Sequence, residues 1–243
     1  MTMSIEQNRN RAVGAIVISL AFISLLALGT WQVQRMAWKT NLIANIENGL
    51  AAEPVPLNDG AAYSEYSRVV VEGYFDHSKE MYLQTINKDG DFGFYVYVPF
   101  FRPDKKVILV NRGFVPPALI DPSTRIDGLP MGNVVLSGVL RTSAEKKYFI
   151  PDNDIAANRW FYADLTAMSK AAGLFEQNVF PMILEAEANV NATTPPFGGV
   201  TRVNIVNNHL GYAVTWFGLA ISLLVVVFFY RRKTKLIKGK DNQ

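Results

Sequence analysis

The sequence predicts a membrane protein of α + β class. Two transmembrane helices, one at each end, flank a mainly antiparallel β domain with one or two short helices. Three observations predict it. Between Arg11 and Arg35 there is no Asp, Glu, Lys, Arg or His. From Leu210 to Tyr230 there is none either. Each run is about as long as the ~20 residues needed to cross a bilayer. Between the runs lie short β-branched and aromatic segments parted by Gly, Pro, Asn and Asp, a pattern that a small closed barrel satisfies.

The first helix is expected over residues 12–34, after a tail of residues 1–11. Its apolar stretch from Ala12 to Leu28 exceeds the roughly 7–15 residues of a signal-peptide core, so an uncleaved anchor is expected. The N-terminus lacks an Arg- and Ser-rich organelle presequence, which points to a bacterial protein. The second helix is expected over 207–230, followed by a tail of residues 231–243. That tail holds Arg231, Arg232, Lys233, Lys235, Lys238 and Lys240 against Asp241, and the first tail holds Arg9 and Arg11 against Glu6. By the positive-inside rule both termini are cytoplasmic and residues 35–206 form a periplasmic domain of the inner membrane. Residues 12–230 carry 16 basic and 19 acidic residues. The basic total is therefore a tail effect and gives no case for nucleic-acid binding.

Beyond Arg35 the helical spacing continues through Trp38, Leu42, Ile43, Ile46 and Leu50, with Gly49 as the expected stop. Residues 52–56 read as a loop. Strands are expected from Ser67 to Phe75, Glu80 to Ile86, Phe92 to Phe101, Lys106 to Val115 and Asn133 to Arg141. The run Val107-Ile108-Leu109-Val110 is continuous enough to be buried on both faces. Trp160 to Leu165 reads as a short strand. Asp164 then caps a helix with Leu165, Met168 and Ala172 inward and Gly173 as its stop. Phe180 to Glu187 is a late strand, residues 191–199 a linker or loop, and Thr201 to Val206 a strand or extended approach to the membrane.

Several chemistries are excluded. There is no cysteine, so thiolate zinc, iron–sulfur clusters, c-type haem attachment and disulfides are ruled out. No Gly-x-Ser-x-Gly, His-Glu-x-x-His or phosphate-cradling loop occurs. The two histidines leave few bases for a hydrolase. His77 sits in the polar turn Asp76-His77-Ser78-Lys79-Glu80 and reads as a solvated turn residue. The expectation is a protein that is not an enzyme.

His209 differs because it begins the second helix at the outer surface, where Trp31 and Arg35 end the first. Trp31, Arg35, Trp38 and Lys39 share one face by their spacing, and so do His209, Tyr212 and Trp216. Neutral imidazole is a usual axial ligand of haem iron. Arg35, Lys39, Arg112 and Arg202 are candidate partners for propionates. The plainer alternatives stay open: aromatics as belt anchors, a hydrated interfacial histidine, and Asn207 or Asn208 as an ordinary helix cap.

Leu28-Gly29-Thr30-Trp31-Gln32-Val33-Gln34-Arg35 and the stretch from Asn208 to Ala220, with His209-Leu210-Gly211-Tyr212 and Thr215-Trp216-Phe217 in it, resemble the two membrane signatures of the Surfeit locus protein 1 family. Between them, in order, come Gly73-Tyr74-Phe75-Asp76, Gly93-Phe94-Tyr95-Val96, Pro99-Phe100, the run from Val110 to Pro116, and the run from Asn158 to Leu165. The resemblance implies a biogenesis factor for haem-copper cytochrome c oxidase, working with the catalytic subunit, haem a synthase and membrane lipid. It implies haem a as the bound group, with His209 as axial ligand of the iron and Trp31, Arg35, Tyr212 and Trp216 around it. The haem would be held between the two helices. A haem-free membrane scaffold for nascent oxidase is the alternative that the family also allows.

Overall fold

The computed structural model describes residues 2–189, 192–201 and 207–240, leaving aside the side chains of 2–8, 11 and 234–240. The chain divides into two compact units. One takes the first long helix up to Asn45 and the helix that ends the chain; the other is β-rich and begins at Ile46.

In the helical unit, α1 spans Thr2–Ala51 as one helix of 50 residues. Its apolar run and the expected extension past Arg35 are therefore continuous. Gly49 does not stop it. That glycine lies inside the last turn, where a Cβ would stand 3.0 Å from the carbonyl oxygen of Tyr66. Pro54 follows three residues after the helix ends, where it restricts the residue before it to extended backbone. The C-terminal helix spans His209–Lys240. Both helices are long and apolar enough to cross a membrane, and almost none of either apolar window is buried.

The few covered positions of the two helices are regular. On α1 they include Phe22, Leu25, Gly29, Gln32 and Met36; on the C-terminal helix they include His209, Ala213, Trp216, Ala220, Leu223 and Val227, with Phe217 beside Trp216. Steps alternate between three and four residues, which is the 3.5-residue seam of a left-handed helix pair. Contacts fix the direction as antiparallel: Asn207 meets Thr40, His209 meets Gln32, and Phe217 meets Gly29. Small residues at Gly29, Ala213 and Ala220 let the backbones approach, as membrane helix pairs require.

The β unit is a barrel built from β1 (Val55–Pro56), β2 (Arg68–Phe75), β3 (Met81–Ile86), β4 (Phe92–Phe101), β5 (Val107–Val115), β6 (Val134–Arg141), β7 (Arg159–Trp160) and β8 (Val179–Ala186). The sheet order is β1-β2-β6-β8-β5-β4-β3-β7. β4 closes it. Its ten residues pair along one edge with β3 and, at the far end, with β2 through Tyr74↔Phe101 and Phe75↔Phe100. The ring is thus β2-β6-β8-β5-β4. Pairing is mainly antiparallel, with parallel pairs at β1–β2, β3–β7 and β5–β8.

Two sequence expectations need correction here. Val55-Pro56, read as loop, forms a short parallel edge strand on β2; an edge is where a proline is tolerated. The strand expected to run from Trp160 to Leu165 stops at Trp160. The amides of Phe161 and Tyr162 donate to Asn153 Oδ1 instead of to a neighbouring strand.

β5 is buried on both faces, as its unbroken apolar run predicts. Ile108 and Val110 join Val69, Val71, Phe100, Leu140 and Leu184 in one core cluster. Leu109 points the other way, into a second cluster with Trp160, Leu165, Met168 and Ile183. That second cluster carries α2 (Leu165–Ala171), whose amide at Ala167 donates to the Asp164 cap. Gly173 follows at φ +70°. At the linker-like segment, Phe114 and Phe197 exchange both backbone hydrogen bonds. Gly113, at φ +118°, permits this, because a Cβ there would collide with the Phe197 carbonyl. From here on the C-terminal helix, His209–Lys240, is called α3.

Candidate functional site

The site starts from two polar residues on otherwise apolar helices. Gln32 lies on the covered face of α1 and is buried; His209 opens α3 and is half-buried. Nδ1 of His209 and Oε1 of Gln32 are 2.7 Å apart, within hydrogen-bond distance. About two turns further along α1, Asn207 Nδ2 donates to Thr40 Oγ1 at 3.3 Å, while Asn207 Oδ1 is buried without a partner among the described residues. One turn inward the seam is shut: a Cβ on Gly29 would stand 2.8 Å from two ring carbons of Phe217.

At this level Phe217 fills the approach to Gly29. The flank of the pair is different. At about 100° per residue, Trp31 and Arg35 are turned by about 100° and 60° from Gln32 in one rotational sense. Tyr212 is turned by about 60° from His209 in the same sense. In an antiparallel pair of right-handed helices, equal senses lead to the same side. Trp31, Arg35 and Tyr212 therefore lie on one flank beside the His209–Gln32 contact. Trp31 and Tyr212 are each more than half exposed, as a surface that receives a ligand or lipid must be. Trp216 is half-buried on the seam side of α3. The Arg35 guanidinium lies 4.1 Å over the Trp38 ring, which holds it near this flank.

Gln32 is the residue that sequence reading passed over. Its signal was present: Gly29, Gln32 and Met36 keep the 3-4 spacing of a seam, whereas Trp31 and Arg35 do not. The more conspicuous aromatic and basic residues drew the reading to the flank.

The other propionate candidates divide. Arg202 lies outside the described residues. Lys39 is half-buried on α1. Arg112 is engaged inside the β unit: Nη2 donates to the Gly128 carbonyl at 2.7 Å and the guanidinium lies 4.7 Å over Phe75. Burial lowers its pKa to about 10, against the opposing pull of Glu80 and with the repulsion of Arg125.

His77 is not the solvated turn residue expected from its polar neighbours. Its side chain is only 13% exposed; Nε2 lies 3.1 Å from the Pro130 carbonyl, and Nδ1 is 3.7 Å from Glu80 Oε1. Glu80 and Arg125, both buried, form a two-point ion pair. Tyr82 also donates to Glu80, at 3.0 Å. Burial alone would raise the Glu80 pKa, but His77 and Arg125 outweigh it and hold the carboxyl below its ordinary value. Asn158, at φ +48°, ties this cluster to the core: its Nδ2 donates to the Glu80 carbonyl and its Oδ1 accepts from the Trp160 indole. These partners give Asn158 and Trp160 structural roles, as Asn111 Oδ1 accepting from the Gly113 amide does in β5.

Among the described residues no group of His, Asp and Glu could hold a bare metal ion. The donors around His209 are one imidazole, flat aromatic faces and a guanidinium. That set suits a metal already held in an anionic aromatic macrocycle better than a free cation.

Comparison with known proteins agrees with the ordered motifs. A profile described as the SURF1 family matches residues 19–221. Surfeit locus protein 1 of Rattus norvegicus is 40% identical over 237 residues, covering 88% of this chain and 75% of the relative. The Homo sapiens protein of that name is 41% identical over 225 residues, covering 84% and 73%. A SURF1-like protein of Monosiga brevicollis is 36% identical, covering 85% and 83%.

Proposed function

This chain belongs to the SURF1 family, and from that premise we propose that it is a non-enzymatic assembly factor for haem-copper cytochrome c oxidase that binds haem a at His209. The observation that carries the reading is the 2.7 Å contact between His209 and Gln32 on the helix seam, beside which helical spacing places Trp31, Arg35 and Tyr212 on one flank. Haem a is the cargo: it comes from its synthase and leaves for the catalytic subunit of the oxidase.

In this reading His209 ligates the iron, Arg35 faces a propionate, and Trp31, Tyr212 and Trp216 pack against the macrocycle. The hydrophobic tail of the haem lies in lipid along the apolar flank. A single protein imidazole on an open flank binds more weakly than a closed bis-histidine site, which favours release to the oxidase. The setting is a bacterial cytoplasmic membrane with both termini cytoplasmic and the β unit periplasmic. The basic tails support that orientation.

The test is the visible spectrum of the full chain purified from cells with and without haem a synthase. Haem a absorption should appear only with the synthase and should be lost in His209→Ala. A wild-type protein with no haem absorption when haem a is being made would refute the carrier and favour the haem-free scaffold.

A further inference from the structure

We propose that Gln32 is a positioning residue: by accepting a hydrogen bond from the Nδ1–H of His209 it selects one tautomer of the imidazole and turns the Nε2 lone pair outward as the ligand. The juxtaposition behind it is the 2.7 Å contact between His209 Nδ1 and Gln32 Oε1. The haem consequence rests on the reading above; the tautomer itself does not.

A neutral imidazole has one N–H and one lone pair, and the hydrogen bond made by one nitrogen decides which is which. An isolated histidine in water favours the Nε2–H form, in which the outer nitrogen has no lone pair to give. A carbonyl-type oxygen against Nδ1 reverses that preference. Gln32 is well built for the task. It is buried on a seam whose neighbouring contacts, Phe217 on Gly29 and the covered Ala213, fix the spacing of the helices. Gln32 is buried, and the more a polar N–H is withdrawn from water, the more it costs to leave it unpaired. The same contact orients the ring. With Nδ1 directed into the seam at Gln32, Nε2 on the far edge of the ring is directed away from it. Hydrogen bonds of this kind also raise the basicity of a ligating imidazole, and their loss typically lowers metal affinity by about 10–100-fold.

A plainer role is open to a polar pair between membrane helices: adhesion alone, which averages well under 2 kcal/mol. Adhesion does not depend on which nitrogen carries the proton, so a tautomer measurement separates the two.

The experiment uses the full chain in lipid nanodiscs with 15N-labelled histidine. Only His77 and His209 contribute, and His77→Gln assigns the signals. At about pH 8.5, where an ordinary imidazole is neutral, His209 should show a protonated Nδ1 and an unprotonated Nε2. Gln32→Leu should return it to the Nε2–H form, and Gln32→Glu should keep Nδ1–H. Ferric haem is then titrated into each variant. Gln32→Leu should bind about 10–100-fold more weakly and shift the iron–imidazole stretching frequency. Gln32→Glu should recover affinity and lower the reduction potential of the bound haem. An Nε2–H form in the wild type overturns the proposal outright. Nδ1–H in the wild type with unchanged haem affinity and iron–imidazole frequency in Gln32→Leu reduces Gln32 to adhesion. Haem binding that survives His209→Ala refutes the haem reading instead, and with it the ligand role of Nε2, while leaving the tautomer to the nitrogen spectra.

Discussion

Replacing Gly29 with alanine tests whether the helix seam is as close as the geometry requires. The added Cβ would lie 2.8 Å from two carbons of the Phe217 ring and 3.0 Å from a third. Comfortable carbon–carbon contact is about 3.5–4.0 Å, so ring or helix must give way by roughly 1 Å. Overpacking of this size costs about 1–3 kcal/mol. Alanine also gains about 1 kcal/mol of helix propensity over glycine. The single variant should therefore be destabilised by a net ~0–2 kcal/mol. A double-mutant cycle removes the ambiguity. In a Phe217→Ala background the clash is gone and only the propensity gain remains, so Gly29→Ala should stabilise. The interaction energy of the cycle should then be about 1–3 kcal/mol. The assay is reversible unfolding of the full chain in mixed micelles, followed by far-UV circular dichroism. Additivity within about 0.5 kcal/mol would refute the reasoning and mean that Phe217 does not pack on Gly29. The same displacement, carried in full to Gln32 one turn away, would stretch the 2.7 Å contact with His209 past the limit of hydrogen bonding.

Three further outcomes follow from the β unit. Arg125→Met should destabilise it by about 3–5 kcal/mol, because Glu80 would remain buried without its ionic partner; Arg112→Met should cost less in the same urea titration, since Arg112 contacts a carbonyl and a ring but no carboxylate. The acid limb of stability should carry Glu80. Its pKa is lower folded than the ordinary 4.5, so below that value the unfolded chain takes up the proton first and stability falls as pH drops through the folded pKa. Glu80→Gln should flatten that limb in unfolding curves taken from about pH 6 to 3. Gly113→Ala should cost upwards of about 2 kcal/mol, since it strains φ +118° and collides with Phe197; limited proteolysis should then cut near residues 192–199, and an unchanged digest would contradict the close approach.

Much was legible in the residues alone. Two long runs without charge determine two long apolar helices, because an uncharged run of about 20 residues matches a membrane-spanning helix in length. Alternation and turn residues determined five strands almost to their ends: β4 spans Phe92–Phe101 as expected, and β2, β3, β5 and β6 each start within one residue of expectation. The Asp164 cap and the Gly173 stop of α2 were equally local, since capping and left-handed backbone depend on one or two residues. The aromatic and basic flank of α1 was a matter of spacing on one helix.

Only the tertiary structure decided how these pieces meet. Barrel closure depends on β4 being shared between β3 and β2, a pairing across residues far apart in sequence. His77 changed from a turn residue to a buried member of an ion cluster because Arg125 and Pro130 arrive from another part of the chain. At the site, the sequence singled out His209 but not its partner. Which face of α1 turns inward is set by Gly29 meeting Phe217, and that choice places Gln32, not Arg35, against the imidazole. A hydrogen bond between residues 177 positions apart has no local signature; it exists because small residues at Gly29, Ala213 and Ala220 let two helices approach closely enough for one polar pair to touch.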